Sequence, residues 1–154
     1  MTYISTKLRE RGINVLIVPE FATIIANGGG LINIHKMSKQ QIIKLQVLTF
    51  FHYSRTNVMR QSVIMKGIMA LEDHFVELAE ITGGPTVILC DRGVMDGKAY
   101  IDPNGWQVLL DENGYNLVNL RDKRYDAVIH LVTAADGATE FYTLANNAAR
   151  YEVM

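Results

Sequence analysis

The sequence is short of the features that would place it in several large functional classes. It has a single cysteine, Cys90, which excludes an internal disulfide and fits a reducing compartment. No apolar run approaches the length of a membrane span, and the first residues carry Lys7 and Arg9 with no apolar h-region, so the expected location is cytoplasmic. An excess of charge of either sign is also missing. Fifteen basic residues against 16 acidic ones give a net charge of −1, so bulk electrostatics points to neither nucleic acid nor a membrane surface as partner. There is no Cys/His spacing that suits a metal site and no convincing Ser/His/Asp grouping. Repeats and low-complexity tracts are likewise absent, so residues 1–154 read as one domain.

What is present is the profile of a globular protein, 49% hydrophobic and 20% charged. The organising stretch is Thr86-Val-Ile-Leu-Cys90, a short apolar run behind Gly83-Gly84-Pro85. Such a run reads as a strand buried on both faces, typical of a parallel sheet. Ile13 to Val18, ended by Pro19, and Ala127 to Val132 read as two more buried strands, with His130 as a core or sheet-face residue of the last. Between them the pattern is helical. Residues 2–11 suit the last turns of a helix closed by Gly12. Phe21 to Ala26 suits a short helix broken by Gly28-Gly29-Gly30. Ser38 is a plausible N-cap for a long helical region reaching about Ile81, with Ile42, Ile43, Leu45 and Leu48 on one apolar face and the stripe Ile64, Ile68, Leu71, Phe75, Leu78 further on. Asp96 to Ile101 reads as a helix or turn halted at Asp102-Pro103-Asn104-Gly105, followed by helix at Trp106 to Leu110 and at Phe141 to Glu152. Helices alternating with short buried strands predict an α/β layered domain around a largely parallel sheet.

In an open parallel sheet, ligands bind at the C-terminal strand edge. Glu20 follows the first strand, Asp91-Arg92 the second, and Asp136 the third. Asp91 can hold Mg²⁺, Arg92 can grip phosphate, Glu20 can act as a base or bind a substrate hydroxyl, and Arg150 can close as a lid. The bland alternative for Asp91-Arg92 is a solvated ion pair at a strand end. Gly93-Val-Met-Asp-Gly97-Lys98-Ala99 imitates a phosphate-binding P-loop, but it has three residues between the glycines where the pattern needs four, and Ala99 offers no hydroxyl to Mg²⁺. Gly28-Gly29-Gly30 has no following Gly-Lys-Ser/Thr and reads as a loop.

Four stretches together resemble a known family: Val-Pro-Glu20-Phe-Ala-Thr, Ala-Leu-Glu-Asp73-His-Phe, Asp91-Arg-Gly-Val-Met-Asp96-Gly-Lys-Ala-Tyr100, and Arg124-Tyr-Asp-Ala-Val-Ile-His-Leu-Val-Thr-Ala-Ala-Asp136-Gly-Ala continuing to Asn146-Asn147-Ala-Ala-Arg150-Tyr-Glu. They resemble the NadR/TRPL-translocation-defect type of AAA-like P-loop ATPase domain. The resemblance implies a three-layer, nucleoside-kinase-like P-loop NTPase fold that binds ATP or GTP with Mg²⁺. Asp91 would be the Walker B-like acid and metal ligand, Arg92 its neighbouring arginine, Glu20 the substrate-side acid and Arg150 the lid. Bacterial relatives phosphorylate nicotinamide riboside, while animal relatives are linked to GTP, phosphoinositide binding and membrane-protein trafficking.

The sequence departs from that family in three ways. The first strand and the Gly-rich loop ending Gly-Lys-Ser/Thr are missing before Met1, the chain stops at Met154, and Val47 to Arg60 reads as an insertion. Fourteen extra residues are close to four turns at about 3.6 residues per turn, so a lengthened helix would stay in phase; a retained intron is the alternative. The expectation is a truncated or divergent nucleotide-binding domain with weak or no nucleotide affinity. The rival expectations are a non-catalytic adaptor binding a protein or phosphoinositide, and an incomplete gene product.

Overall fold

The computed structural model of the chain describes residues 1–30 and 39–132, apart from the side chains of residues 39–54 and 56. Its sheet is a parallel pair, β1 (Asn14–Val18) and β2 (Thr86–Cys90). The register runs from Asn14 opposite Thr86 to Val18 opposite Cys90. The ladder is bracketed by the Asn14 N–H donating to Pro85 O (3.0 Å) and the Asp91 N–H donating to Val18 O (3.2 Å). Two runs rich in β-branched residues, each closed by proline or glycine punctuation, form the strands expected of them.

The third expected strand does not form. Residues 127–132 have no regular structure, and Val128 and Leu131 are 75% and 82% exposed. A β-branched run becomes a strand only when a ladder partner takes its backbone groups. With two strands paired among the described residues, β2 is half-buried along its whole length rather than buried on both faces. The architecture is therefore α/β, with a two-stranded parallel sheet and five helices among the described residues.

Helix α1 (Thr2–Arg9) ends in a Schellman turn, in which the Gly12 N–H donates to Arg9 O and the Ile13 N–H to Leu8 O. Gly12 takes φ +76°, the left-handed conformation for which glycine is suited. After β1, Pro19 stops the strand, and α2 (Phe21–Asn27) runs to the glycine triplet. Helix α3 (Lys39–Thr82) is 44 residues long, about 66 Å at about 1.5 Å per residue. It passes unbroken through residues 47–60, and Val58 of that segment is buried in the core. Ser38 and the side chains of Ile42, Ile43, Leu45 and Leu48 lie outside the described set, as do the elements expected beyond residue 132.

The buried line of α3 is Val58, Met65, Ile68 and Glu72, rotated from the expected stripe: Ile64 only packs against the core from its side, and Leu78 is half exposed. Gly67 sits where a Cβ would fall 2.1 Å from the Phe21 ring, so this helical glycine lets α2 approach α3. It does so despite the roughly 1 kcal/mol that glycine costs a helix interior.

Asp102-Pro103 halts the 3₁₀ turn over Asp96–Tyr100, as expected, and also starts a helix three residues before Trp106. Helix α4 (Pro103–Glu112) has Asp102 as N-cap, its Oδ1 accepting from the Asn104 and Gly105 N–H groups, and Pro103 in its first turn. Helix α5 (Leu117–Asp122), not expected from the sequence, is capped by Asn116, whose Oδ1 accepts from the Asn119 N–H. Trp106, Leu109 and Leu110 of α4 and Leu120 of α5 pack with Val94 against the buried line of α3. Asp102→Ala is expected to lower stability by about 1 kcal/mol through loss of the cap, read as a shift in the denaturant midpoint with an unchanged slope.

Candidate functional site

Parallel pairing brings the ends of β1 and β2 out side by side. Val18 lies opposite Cys90, so Glu20 and the pair Asp91-Arg92 leave the same edge of the sheet. Glu20 Oε1 is 3.4 Å from Arg92 Nε, and Glu20 Oε2 accepts from the Thr23 hydroxyl at 2.6 Å. Both oxygens of Glu20 are therefore engaged. Asp91 is exposed and Arg92 half exposed. Of the residues expected at this edge the structure brings together Glu20, Asp91 and Arg92; Asp136 and Arg150 lie outside the described residues.

Arg92 is the one non-glycine residue with positive φ (+79°) among the described residues. A side chain in that region is strained, and such strain persists where surrounding contacts over-determine it. Partial burial works against the charge of the guanidinium, but Tyr100, Glu20, Asp96 and Asp91 outweigh it and hold Arg92 above the usual arginine range. The group is a permanent cation aimed at the strand edge.

The turn after Arg92 is closed by its own groups. The Gly93 N–H donates to Asp96 Oδ2 (2.9 Å), the Asp96 N–H to Gly93 O (3.1 Å), and the Lys98 N–H to Met95 O (3.1 Å) as the chain enters a 3₁₀ turn over Asp96–Tyr100. The Val94 N–H donates to the Tyr125 hydroxyl at 2.8 Å. These amides do not form a cradle for phosphate, in keeping with the imperfect spacing of the P-loop imitation.

Beneath the turn lies a polar cluster that sequence reasoning missed. Glu72 is only 5% exposed. The Tyr125 hydroxyl donates to its Oε1 (2.7 Å) and Arg124 Nε to its Oε2, while Arg124 Nη2 donates to Asp73 Oδ1 (2.8 Å) and Met69 O (3.1 Å). Burial opposes the Arg124 charge, yet the hydrogen bonds to Glu72 and Asp73 hold it above its usual range. Burial pushes the Tyr125 hydroxyl up; the Val94 N–H opposes this and Glu72 reinforces it, so Tyr125 stays protonated. A carboxylate at the i+7 position from Met65, in the buried phase of a helix, was the available signal.

An open cleft of about 520 Å³ adjoins the edge, lined by Arg92, Met95, Asp96, Lys98, Tyr100 and His130, with Ala99. His130, expected in a core strand, is exposed and faces this cleft, because residues 127–132 are not in the sheet. No described helix is long and apolar enough to cross a membrane. Comparisons with protein-family models, curated proteins and solved structures gave no match to this chain.

Two outcomes follow from this geometry. Arg92→Gly removes the guanidinium and the backbone strain together, whereas Arg92→Ala removes only the guanidinium; the glycine variant is expected to be the more stable by about 1 kcal/mol in chemical denaturation. Cys90, at the end of β2, has its thiol pushed from 9.0 up to about 11, by burial first and by the charge of Glu72 second, with Arg124 opposing. An acid whose pKa rises on folding favours the native state while it stays protonated. Its contribution is complete below pH 9.0 and fades as pH rises toward about 11. Melts across that window are expected to show a loss of stability that is smaller in Cys90→Ala.

Proposed function

We propose that the chain carries the substrate-and-metal edge of a nucleotide-binding domain of the P-loop NTPase class, whose parent chemistry is Mg²⁺-dependent phosphoryl transfer or NTP hydrolysis. The three-layer fold around a larger parallel sheet belongs to this reading. The observation that supports it is the convergence of Glu20, Asp91 and Arg92 at the C-terminal edge of a parallel strand pair. In α/β sheets that edge is where phosphate-bearing ligands bind.

The roles follow from the chemistry of each group. Among the described residues no three His, Cys, Asp or Glu side chains gather as a metal site. Mg²⁺ does not need such a cage: it keeps several waters and takes one or two carboxylates together with phosphate oxygens. The exposed carboxylate of Asp91 fits that mode. Bound there with ATP or GTP, Mg²⁺ would neutralise phosphate charge. Arg92 would exchange its long contact with Glu20 for a phosphate oxygen, a better partner for a guanidinium. Glu20, so released, could accept from a substrate hydroxyl. Arg150 is assigned the closing lid.

A non-catalytic adaptor that binds a protein or phosphoinositide is the second reading. One observation favours it. The Gly93 and Val94 amides are already engaged, and these 154 residues contain no Gly-x-x-x-x-Gly-Lys-Ser/Thr. Little is then left to offset the desolvation of a triphosphate.

Melting the chain with and without Mg²⁺–ATP and Mg²⁺–GTP separates the readings. At about one hundred times its dissociation constant, a nucleotide should add roughly 2.7 kcal/mol, a shift of several degrees. Asp91→Ala is expected to abolish the Mg²⁺-dependent shift and leave the ligand-free melt within about 0.5 kcal/mol, since the residue is exposed. A cooperative melt that no nucleotide moves would overturn the nucleotide reading in favour of the adaptor.

A further inference from the structure

We propose that the cleft beside the strand edge is an anion subsite for a small phosphate monoester, adjoining the Mg²⁺–nucleotide position and sharing Arg92 with it. It rests on Arg92 as a phosphate ligand, as above, but needs neither Mg²⁺ nor Asp91. Three nitrogen-bearing side chains from two stretches of chain line it: Arg92 at the end of β2, Lys98 in the 3₁₀ turn, and His130 from residues 127–132. The opposing charges are Asp96 in the lining and Glu20 and Asp91 beside Arg92. Asp96 has one oxygen committed to the Gly93 N–H, and Glu20 both of its own to Thr23 and Arg92. Arg92 and Lys98 can therefore turn to a phosphate without leaving a carboxylate unpartnered, provided that Glu20 keeps its Thr23 bond and solvent replaces Arg92.

The rest of the lining suits an organic group. Met95 and Tyr100 give an apolar wall, and Tyr100 is 53% exposed, open for a flat ligand to stack on. The cleft volume, about 520 Å³, falls within the range of small-molecule sites and exceeds what a bare phosphate fills. Cations at one side and an aromatic wall at the other match a phosphate attached to a base or ring.

Titration calorimetry with adenosine 5′-monophosphate in EDTA, on the whole chain, tests the assignment. Binding is expected without metal and should weaken as salt rises. Lys98→Glu is expected to weaken it about tenfold or more, the scale of a hydrogen bond to a charged group, and His130→Gln less, since the amide can still donate. Asp91→Ala should strengthen it, because an opposing charge beside Arg92 is lost. Lys98 and His130 are exposed, so their variants should melt as the parent does. Inorganic phosphate should bind at least about tenfold more weakly than the nucleotide monophosphate, because it forgoes the apolar wall. The proposal is overturned by no monophosphate binding up to about 10 mM, by unchanged binding in a folded Lys98→Glu chain, or by equal affinity for inorganic phosphate. Metal-free monophosphate binding without a Mg²⁺–ATP shift would sink the nucleotide reading and leave the subsite standing; the reverse pattern would do the opposite.

Discussion

A buried carboxylate on a long helix holds the turn that follows β2. Glu72 lies in the same helical phase as Met65 and Ile68, where an apolar side chain would pack at no electrostatic cost. Taking a carboxylate out of water is unfavourable by several kcal/mol unless its oxygens are met. Here Arg124 meets one and the Tyr125 hydroxyl the other. The same hydroxyl accepts from the Val94 N–H, so a single chain of bonds joins α3, the turn after β2 and the segment after α5. Removing one partner of such a buried pair typically costs about 3–5 kcal/mol, because the other is left charged and unsatisfied. Replacing the whole cluster with apolar residues would cost less, but nothing would then hold Val94 by its amide.

That bond chain explains the conformation of the residues just before it. Arg92 sits in the left-handed region although Gly93, which could take it without strain, is next in sequence. Glycine at 93 serves a different end: a Cβ there would lie 3.1 Å from the Tyr125 hydroxyl oxygen and press on the ring that bonds Val94. With Asp91 fixed by the β ladder and Gly93 and Val94 fixed by Asp96 and Tyr125, the change of direction falls on Arg92. The turn has ordered backbone on both sides, and the strained residue carries the permanent cation.

Much of this was legible where short-range chemistry decides. Gly12, Pro19 and Gly83-Gly84-Pro85 punctuate the chain in ways few alternatives satisfy, and β1, β2 and the end of α1 fell where they indicated. Glu20, Asp91 and Arg92 followed from the strand-edge rule once two parallel strands were placed. Asp102-Pro103 reads as a stop, and the 3₁₀ turn over Asp96–Tyr100 does end before it, but an aspartate before a proline also caps the next helix; here Asp102 accepts two amide bonds from α4. Helix α5 is only six residues long and has too few positions to show a period. The role of Glu72 depends on Arg124 and Tyr125, more than fifty residues away, a pairing no local pattern reveals. The cleft is hidden in the sequence for a related reason: Lys98 stands in an imitation P-loop, and the apolar run around His130 reads as a strand.

Residues 127–132 make two demands that cannot both be met in the same conformation. As an irregular segment they bring His130 to the cleft but leave Val128, Ile129, Leu131 and Val132 each more than 70% exposed. Exposed apolar surface of strand composition is a standing liability for association. Pairing with a further strand would bury much of that surface. A strand also alternates its side chains, so His130 would then share a face with Val128 and Val132 and be fixed by the sheet's register rather than by the cleft. Glu20, Asp91 and Arg92 are positioned by the β1–β2 ladder and the Glu72 cluster and are insensitive to this choice. The third wall of the cleft is not, and so the sheet-edge acids and the anion subsite draw on different parts of the same fold.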